Sequence, residues 1–166
     1  MAKTVKGERK AENQIVQTPR EFIYAVEARF GAIVADLAAN AENAIAPVYF
    51  GPGSHHGEDS LAANWRSLGS LADAGLRWLN PPYSDRAQPI ARWAMRCAEM
   101  RGRVGGPIAL LVPASVCTTW FRRHVAPHAY VFELFPRVFG KEIRDCILAV
   151  YAPEGYLGRE PWDWLG

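Results

Sequence analysis

Short apolar runs of strand length alternate along this chain with stretches of helical length. The clearest run, PIALLVP at residues 107–113, is typical of a strand that is covered on both faces of a sheet. We predict further strands at residues 76–79, 129–135 and 146–151, and a short buried strand at the beginning of residues 32–39, which end in small residues. Strands that alternate with helices indicate an α/β fold with a mostly parallel sheet, one antiparallel strand, and ligands at the carboxyl ends of the strands.

Three stretches are predicted to be helical, at residues 18–30, 86–101 and 118–125. Thr18 is expected to be the N-cap of the first helix, with Pro19 at the first helical position and Glu21 completing a capping box. Thr118 is expected to cap the last helix. Between the first two helices lies the Gly-rich loop GPGSHHGED. These helices are expected to flank the sheet.

The length of 166 residues fits one domain with a core of its own. We predict a disordered basic tail at residues 1–14, the folded domain at residues 15–155 and a second tail at residues 156–166. The N-terminus lacks the apolar segment of a secretory signal, and no apolar run approaches the roughly 20 residues that span a membrane.

The three cysteines have no CxxC spacing, which argues against a disulfide framework or a zinc site. We therefore expect a cytoplasmic protein without a metal or a membrane.

The net charge of +2 conceals an uneven distribution. Residues 11–85 contain nine acidic and four basic side chains, whereas residues 86–144 contain ten basic and three acidic ones. Nine of those ten cations are arginines, which suit bidentate contacts with phosphates and base edges. The basic half therefore indicates either solvated helix faces or an anionic polymer as partner.

The motif Asn80-Pro81-Pro82-Tyr83 directly follows the predicted strand at residues 76–79. Its prolines fix φ and remove backbone donors, so that nearby carbonyl groups point outward as acceptors. The side-chain oxygen of Asn80 and the carbonyl of Pro81 can then accept both hydrogens of one amino group, while the Tyr83 ring stacks on a planar heterocycle. This arrangement would localise the lone pair of an aromatic amine for attack. The motif alone also fits a stiff turn that carries no chemistry.

Six segments follow one another in the chain: TPREF, FGAIVADLAANAENAIAPVYF, DSLAANW, WLNPPYS, LLVPASVCTTWF and CILAVYAP. Their residues and order, from about Thr18 to about Ala152, resemble the small phage-encoded DNA N6-adenine methyltransferases called Dam-like. The resemblance implies a compact Rossmann-like methyltransferase sheet with flanking helices. It also implies transfer of a methyl group from S-adenosylmethionine to N6 of adenine in DNA, with S-adenosylhomocysteine as product, in the cytoplasm of a bacterial host.

The same resemblance assigns roles to individual positions. The catalytic motif falls on Asn80, Pro81, Pro82 and Tyr83. Contacts with the cofactor fall on Thr18, Pro19, Asp36, Ala38, Asn43, Asp59 and Asn80. Asp36 follows the first strand, where its charge can meet the methionine amino group or the ribose hydroxyls. The purely structural alternatives are a helix N-cap for Asp36 and Thr18 and a surface loop for Asp59.

DNA contacts are expected from Ser84, which closes the motif, and from Arg122, Arg123 and Arg137, which lie in or near loops after strands. A base that is methylated at N6 has to leave the duplex stack, which costs a few kcal/mol. Phosphate contacts supply affinity that offsets this cost. The alternative for each arginine is an ordinary surface position.

Three features depart from the family pattern or lie outside it. The loop after the first strand, DLAANAEN, lacks the glycine that lets a backbone approach a cofactor closely. His55 and His56 have no third metal ligand at a familiar spacing, and we expect them to be exposed. At this length we expect no separate target-recognition domain. Loops or the second subunit of a homodimer would then read the DNA sequence, unless specificity is weak.

The motif leaves other functions open. NPPY also occurs in N4-cytosine methyltransferases, in RNA adenine methyltransferases and in enzymes that methylate a protein glutamine. The basic half argues against a protein substrate but does not separate DNA from RNA. The last alternative is a non-catalytic nucleic-acid-binding relative, and the intact motif argues against it.

Overall fold

The computed structural model describes residues 17–70, 75–141 and 144–166. In this part of the chain seven strands form one sheet: β1 (Ile33–Asp36), β2 (Val48–Tyr49), β3 (Leu76–Leu79), β4 (Ile108–Pro113), β5 (Tyr130–Phe135), β6 (Cys146–Tyr151) and β7 (Gly158–Asp163). They lie in the order β2-β1-β3-β4-β6-β5-β7. β6 runs antiparallel to β4 and β5, and the other neighbouring pairs are parallel. The predicted α/β class, with a mostly parallel sheet and one antiparallel strand, is confirmed.

The sheet is flanked by the helices α1 (Arg20–Phe30) and α2 (Ile90–Met100), by a 3-10 helix at Trp65–Ser70 and by a π-helical turn at Phe121–Val125. α2 begins at Ile90, later than predicted, because Pro89 occupies its N-cap in an extended conformation. The helical stretch predicted at residues 118–125 contains the π-helical turn. The N-cap of the π-helical turn is Trp120, and no side chain caps the turn. Thr118 Oγ1 nevertheless accepts a hydrogen bond from the backbone N–H of Phe121 at 3.4 Å.

The capping box predicted at the start of α1 is wrong. Pro19 is the N-cap rather than the first helical residue, and no side chain caps the helix. The carbonyl of Pro19 instead accepts hydrogen bonds from the N–H groups of Phe22 and Ile23 at 3.1 and 3.2 Å. The hydroxyl oxygen of Thr18 is bonded elsewhere, to Asn80. A long-range partner has therefore replaced the local one.

Each face of the sheet carries its own apolar cluster. On one face, α2 buries Trp93 and Cys97 together with Trp65 of the 3-10 helix. On the other face, α1 buries Phe22, whose ring packs against Trp78 of β3 with the ring centroids 6.3 Å apart. The central strands β3, β4 and β6 are buried throughout, which is why their sequences are almost continuously apolar.

The tail predicted at residues 156–166 is wrong in its central part. Gly158–Asp163 forms β7, which pairs in parallel with β5 at the edge of the sheet. Only Trp162 of this strand is buried, at 8% exposure, and its ring packs against Phe22, Phe30 and Phe132. An edge strand tolerates Pro161 because one side of its backbone pairs with no neighbouring strand. With one apolar anchor and one proline, the segment lacks the pattern by which strands are recognised.

The basic tail predicted at residues 1–14 lies outside the described residues. None of the helices that the structure describes has the length and apolar character needed to cross a bilayer.

Replacing Trp162 tests whether the C-terminal segment belongs to the core. Trp162→Ala should lower the free energy of unfolding by about 3–5 kcal/mol, as expected for removing a large buried aromatic side chain. Tyr156→Ala is the matched control because Tyr156 is 69% exposed, and it should change stability by no more than about 0.5 kcal/mol. Urea denaturation measures both. Equal, small effects would mean that residues 158–163 do not pack on the domain.

Candidate functional site

A cavity of about 850 Å³ lies where β1, β2 and β3 end. The loops that follow these three parallel strands line it, because the carboxyl ends of parallel strands share one edge of a sheet. α1 contributes a wall through one helical stripe with the spacing i, i+3, i+4, i+7: Arg20, Ile23, Tyr24 and Glu27. The sequence motif after β3 opens into this cavity.

The loops after β1 and β2 approach each other closely at Gly51. A Cβ atom on this residue would lie 2.0 Å from the carbonyl oxygen of Ala39, and its φ of +139° also disfavours other residues. Ser60 Oγ donates to the carbonyl of Leu37, which ties the second loop to the end of β1. Gly51 therefore allows the close contact between the two loops.

Asn80 is the first residue beyond β3 and lines the cavity. Its Nδ2 donates a hydrogen bond to Thr18 Oγ1 at 3.0 Å, which orients the carboxamide. Pro81 and Pro82 follow it along the cavity wall, and Pro81 is buried. The predicted Asn-Pro-Pro turn is therefore at the cavity, as the sequence requires for a ligand at a strand end.

The Tyr83 ring lines the same cavity, and its hydroxyl is anchored in the sheet. The hydroxyl donates to the carbonyl of Leu111 at 3.1 Å. β3 pairs with β4 only as far as Leu110, so this carbonyl lies just beyond the ladder between the two strands. Burial raises the pKa of Tyr83 well above its ordinary value, and nearby Cys146 raises it further. Tyr83 is thus a neutral donor with a fixed ring.

Asp36 ends β1 and is 4% exposed. Its carboxylate oxygens accept hydrogen bonds from the backbone N–H groups of Ala38 and Ile45, each at 3.2 Å. Burial raises the pKa of Asp36 to about 6, although both hydrogen bonds act in the opposite direction. A buried carboxyl that reaches a cavity with this pKa is typical of a functional position.

Three of the four remaining residues predicted to contact the cofactor line the cavity. Ala38, Asn43 and Asp59 line the cavity, whereas Pro19 is the N-cap of α1 and does not. Asp59 Oδ1 accepts a hydrogen bond from Gln88 Nε2 at 3.1 Å, which links the loop after β2 to the loop after β3.

The cavity walls are acidic. Six carboxyl groups line it, against the single guanidinium of Arg20, among the residues that the structure describes: Glu27, Asp36, Glu42, Glu58, Asp59 and Asp85. Only two of these, Asp36 and Asp59, are among the predicted site residues. The acidic walls favour a ligand that carries positive charge or hydrogen-bond donors.

Sequence reasoning missed the α1 wall and Gln88. The stripe could have been found, because its helical spacing begins two residues after Thr18. Tyr24 is the most unexpected of its members, since it is 61% exposed at the cavity. No local signal marked Gln88, whose contact with Asp59 joins two loops that are 29 residues apart.

The predicted DNA contacts lie outside the cavity lining. Ser84 is exposed directly after the motif, and Arg122 and Arg123 are exposed on the π-helical turn. Arg137 follows β5 and forms an ion pair with Asp145 at 2.6 Å. None of these four residues lines the cavity that contains Asn80, although Ser84 directly follows Tyr83 and Arg137 precedes Phe139, which lines it, by two positions.

His55 and His56 are exposed in the loop after β2. The His56 ring lies 5.9 Å from that of Phe50, between centroids. Within the described ranges, no group of three His, Cys, Asp or Glu side chains could hold a metal ion.

Comparison with known proteins adds two findings. The model of the family described as DNA N-6-adenine-methyltransferase (Dam) matches residues 6–133. The chain is also similar to the DNA N-6-adenine-methyltransferase of Escherichia phage T1, with 29% identity over 111 residues. That alignment covers 67% of this chain but only 40% of the phage protein. The chain therefore spans less than half the length of this relative.

The raised pKa of Asp36 predicts a stability that falls as the pH rises. Between about pH 4 and 6 the unfolded chain loses this proton first while the folded chain retains it, so the free energy of unfolding decreases. The loss should reach roughly 3 kcal/mol above pH 6. Asp36→Asn has no carboxyl group to titrate at this position. The difference in the free energy of unfolding between the unsubstituted protein and this variant should therefore decrease with rising pH in the same way.

Urea denaturation of both proteins from pH 4 to pH 8 measures that difference. A difference that is independent of pH would mean that the folded protein does not hold the proton on Asp36.

Proposed function

Because the chain belongs to the DNA N-6-adenine-methyltransferase (Dam) family, we propose that it transfers a methyl group from S-adenosylmethionine to N6 of adenine in DNA. The observation that carries this proposal is the oriented carboxamide of Asn80 at the end of β3, on the wall of a cavity of about 850 Å³. This volume is within the range of about 300–1,000 Å³ that is usual for small-molecule sites.

The cavity walls suit the proposed cofactor. S-adenosylmethionine supplies, when bound, a methyl group on a positively charged sulfur, and it also carries an ammonium group and ribose hydroxyls. The six carboxyl groups of the cavity offer acceptors and negative charge to such groups. Asp36 is the buried one among them, and we assign to it the ammonium group or the ribose hydroxyls. Thr18, Ala38, Asn43 and Asp59 complete the proposed contacts, with Pro19 holding Thr18 in place.

Asn80 and Pro81 are proposed to act on the amino group of the target adenine. Asn80 Oδ1 and the carbonyl of Pro81 accept its two hydrogens, which draws the nitrogen toward tetrahedral geometry and localises its lone pair. S-adenosylmethionine, when bound, would supply the methyl group that N6 attacks, with S-adenosylhomocysteine as the leaving group, and the proton that N6 then loses would pass to solvent. Tyr83 presents its ring to the base. No residue has to remove a proton before the attack.

The charge distribution supports a position of the phosphate backbone at the mouth of the cavity, with only the target base inside. Phosphates are repelled by the acidic walls, whereas exposed arginines lie at or beyond the rim. Arg20 lines the cavity, and Arg86 is exposed between two residues that line it. Ser84, Arg122, Arg123 and Arg137 remain the proposed contacts with the DNA backbone, and Arg137 would exchange Asp145 for a phosphate.

Transfer of tritium from labelled S-adenosylmethionine tests the proposed function. The label should appear in unmethylated DNA. After digestion of that DNA to nucleosides, the label should be found in N6-methyl-2′-deoxyadenosine. Label in cytosine, in RNA or in protein would assign the acceptor differently. The absence of transfer to DNA, RNA and protein alike would favour a non-catalytic nucleic-acid-binding protein.

Asn80→Ala should lower kcat about 10²–10³-fold, the usual effect of removing a preorganised polar group. The affinity for DNA should change much less, because the acceptor matters chiefly as positive charge develops on the attacking nitrogen. Asn64→Ala is a matched control, since Asn64 is exposed and does not line the cavity. Single-turnover kinetics and a DNA-binding titration separate the two effects. A normal single-turnover rate for Asn80→Ala would rule out the proposed activation.

Arg122 and Arg123 should contribute to the salt dependence of DNA binding. Each phosphate contact adds about 0.9 to the slope of log K against log salt, so replacing both by alanine should reduce the slope by up to about 2. Arg66→Ala is the control, because Arg66 is exposed outside the basic half of the chain. Fluorescence anisotropy with a short duplex measures the slope. An unchanged slope in the double variant would remove the π-helical turn from the DNA interface.

A further inference from the structure

Thr18 and Asn80 are 62 positions apart in the chain and are joined by one hydrogen bond, from Asn80 Nδ2 to Thr18 Oγ1 at 3.0 Å. We propose that Thr18 is a positioning residue, which holds the Asn80 carboxamide so that Oδ1 faces the amino group of the substrate. This inference rests on the proposed function, since it concerns the acceptor atom of that reaction. It gives Thr18 a task in addition to its proposed contact with the cofactor.

A carboxamide has a donor end and an acceptor end of nearly the same shape. An amino group that donates two hydrogens can be bound only by the oxygen of the carboxamide. The NH₂ group of the carboxamide is itself a donor and cannot accept these hydrogens. A protein group that accepts a hydrogen bond from the NH₂ end therefore leaves the oxygen end for the substrate. A threonine hydroxyl can donate as well as accept, and in the structure Thr18 Oγ1 accepts from Asn80 Nδ2 and leaves Oδ1 for the substrate.

Thr18 is available for this bond because α1 does not use its side chain. The helix has Pro19 as N-cap and no side-chain cap, and the Pro19 carbonyl accepts hydrogen bonds from two of the first N–H groups. A hydroxyl oxygen used in a capping box would be turned toward the helix. The failure of the predicted capping box is thus the local condition that frees Thr18 Oγ1.

The packing of α1 on β3 fixes the distance between the two residues. Phe22, four positions after Thr18, is fully buried. Its ring packs edge to face on that of Trp78, which precedes Asn80 by two positions. The same pair of elements therefore carries both an apolar contact and the polar one. The apolar contact fixes the position of α1 relative to β3, and the hydrogen bond fixes the rotation of the Asn80 carboxamide.

Two substitutions at Thr18 separate the hydroxyl from the shape of the side chain. Thr18→Val keeps the shape and removes the acceptor, so the single-turnover rate of methyl transfer should fall about tenfold. Thr18→Ser keeps the acceptor and should retain the rate within about twofold. Affinity for S-adenosylhomocysteine should change less than the rate in both. Thr119→Val is the control, since Thr119 is exposed and does not line the cavity.

A double-mutant cycle tests whether Thr18 acts through Asn80. Adding Thr18→Val to Asn80→Ala should lower the rate no further, because the group to be oriented is already gone. An equal loss in both backgrounds would show that Thr18 acts independently, and an undiminished rate in Thr18→Val alone would also overturn the proposal.

The side-chain NH₂ resonances of Asn80 give a readout that needs no activity. They are assigned by their loss in Asn80→Ala and should shift in Thr18→Val, but not in Thr18→Ser or Thr119→Val. Unshifted resonances in a folded Thr18→Val protein would overturn the positioning role. If the unsubstituted protein transferred no methyl group while the resonances shifted as expected, the proposed function would fail and the hydrogen bond would stand.

Discussion

Parallel alignment of β1, β2 and β3 is the constraint on which the rest of the structure depends. Their carboxyl ends meet at one edge of the sheet, so that Asp36 and Asn80 open into the same cavity although they are far apart in the chain. The neighbouring loops must then approach closely, and Gly51 is the residue that permits this. The site is therefore a consequence of strand direction, with side chains added at the strand ends.

Two kinds of contact keep this edge in order. Apolar packing on both faces of the sheet fixes the strands, as with Phe22 against Trp78. Polar contacts at the edge then fix individual groups, as with Tyr83 on the carbonyl of Leu111 and Asn80 on Thr18. The acidic walls have a cost, since Asp36 is buried with a raised pKa. A cationic ligand in the cavity would offset that cost, which links the local electrostatics to the proposed cofactor.

Much of this arrangement could be predicted from the sequence. Continuous apolar runs predicted the central strands, because strands covered on both faces need no polar residues. The Asn-Pro-Pro-Tyr motif marked the edge of the sheet that holds the candidate site, since it follows a strand and lines the cavity there. β7 was missed because Trp162 is its only buried residue. A single buried residue does not produce the alternation of apolar and polar residues by which a strand is predicted. The predicted capping box was wrong because the sequence around Thr18 does not show that Asn80, 62 positions away, donates a hydrogen bond to its hydroxyl oxygen. The α1 wall and Gln88 depend on tertiary contacts of the same kind.

Calorimetric titration with S-adenosylmethionine tests most directly whether this cavity holds the methyl donor. One site per chain is expected. Binding to Asp36→Ala should be at least about tenfold weaker, the expected effect of losing a hydrogen-bonded carboxylate. Asp145→Ala, which alters an exposed carboxyl away from the cavity lining, should bind as the unsubstituted protein does. Unchanged affinity in a folded Asp36→Ala protein, or no binding at all by the unsubstituted chain, would contradict the account.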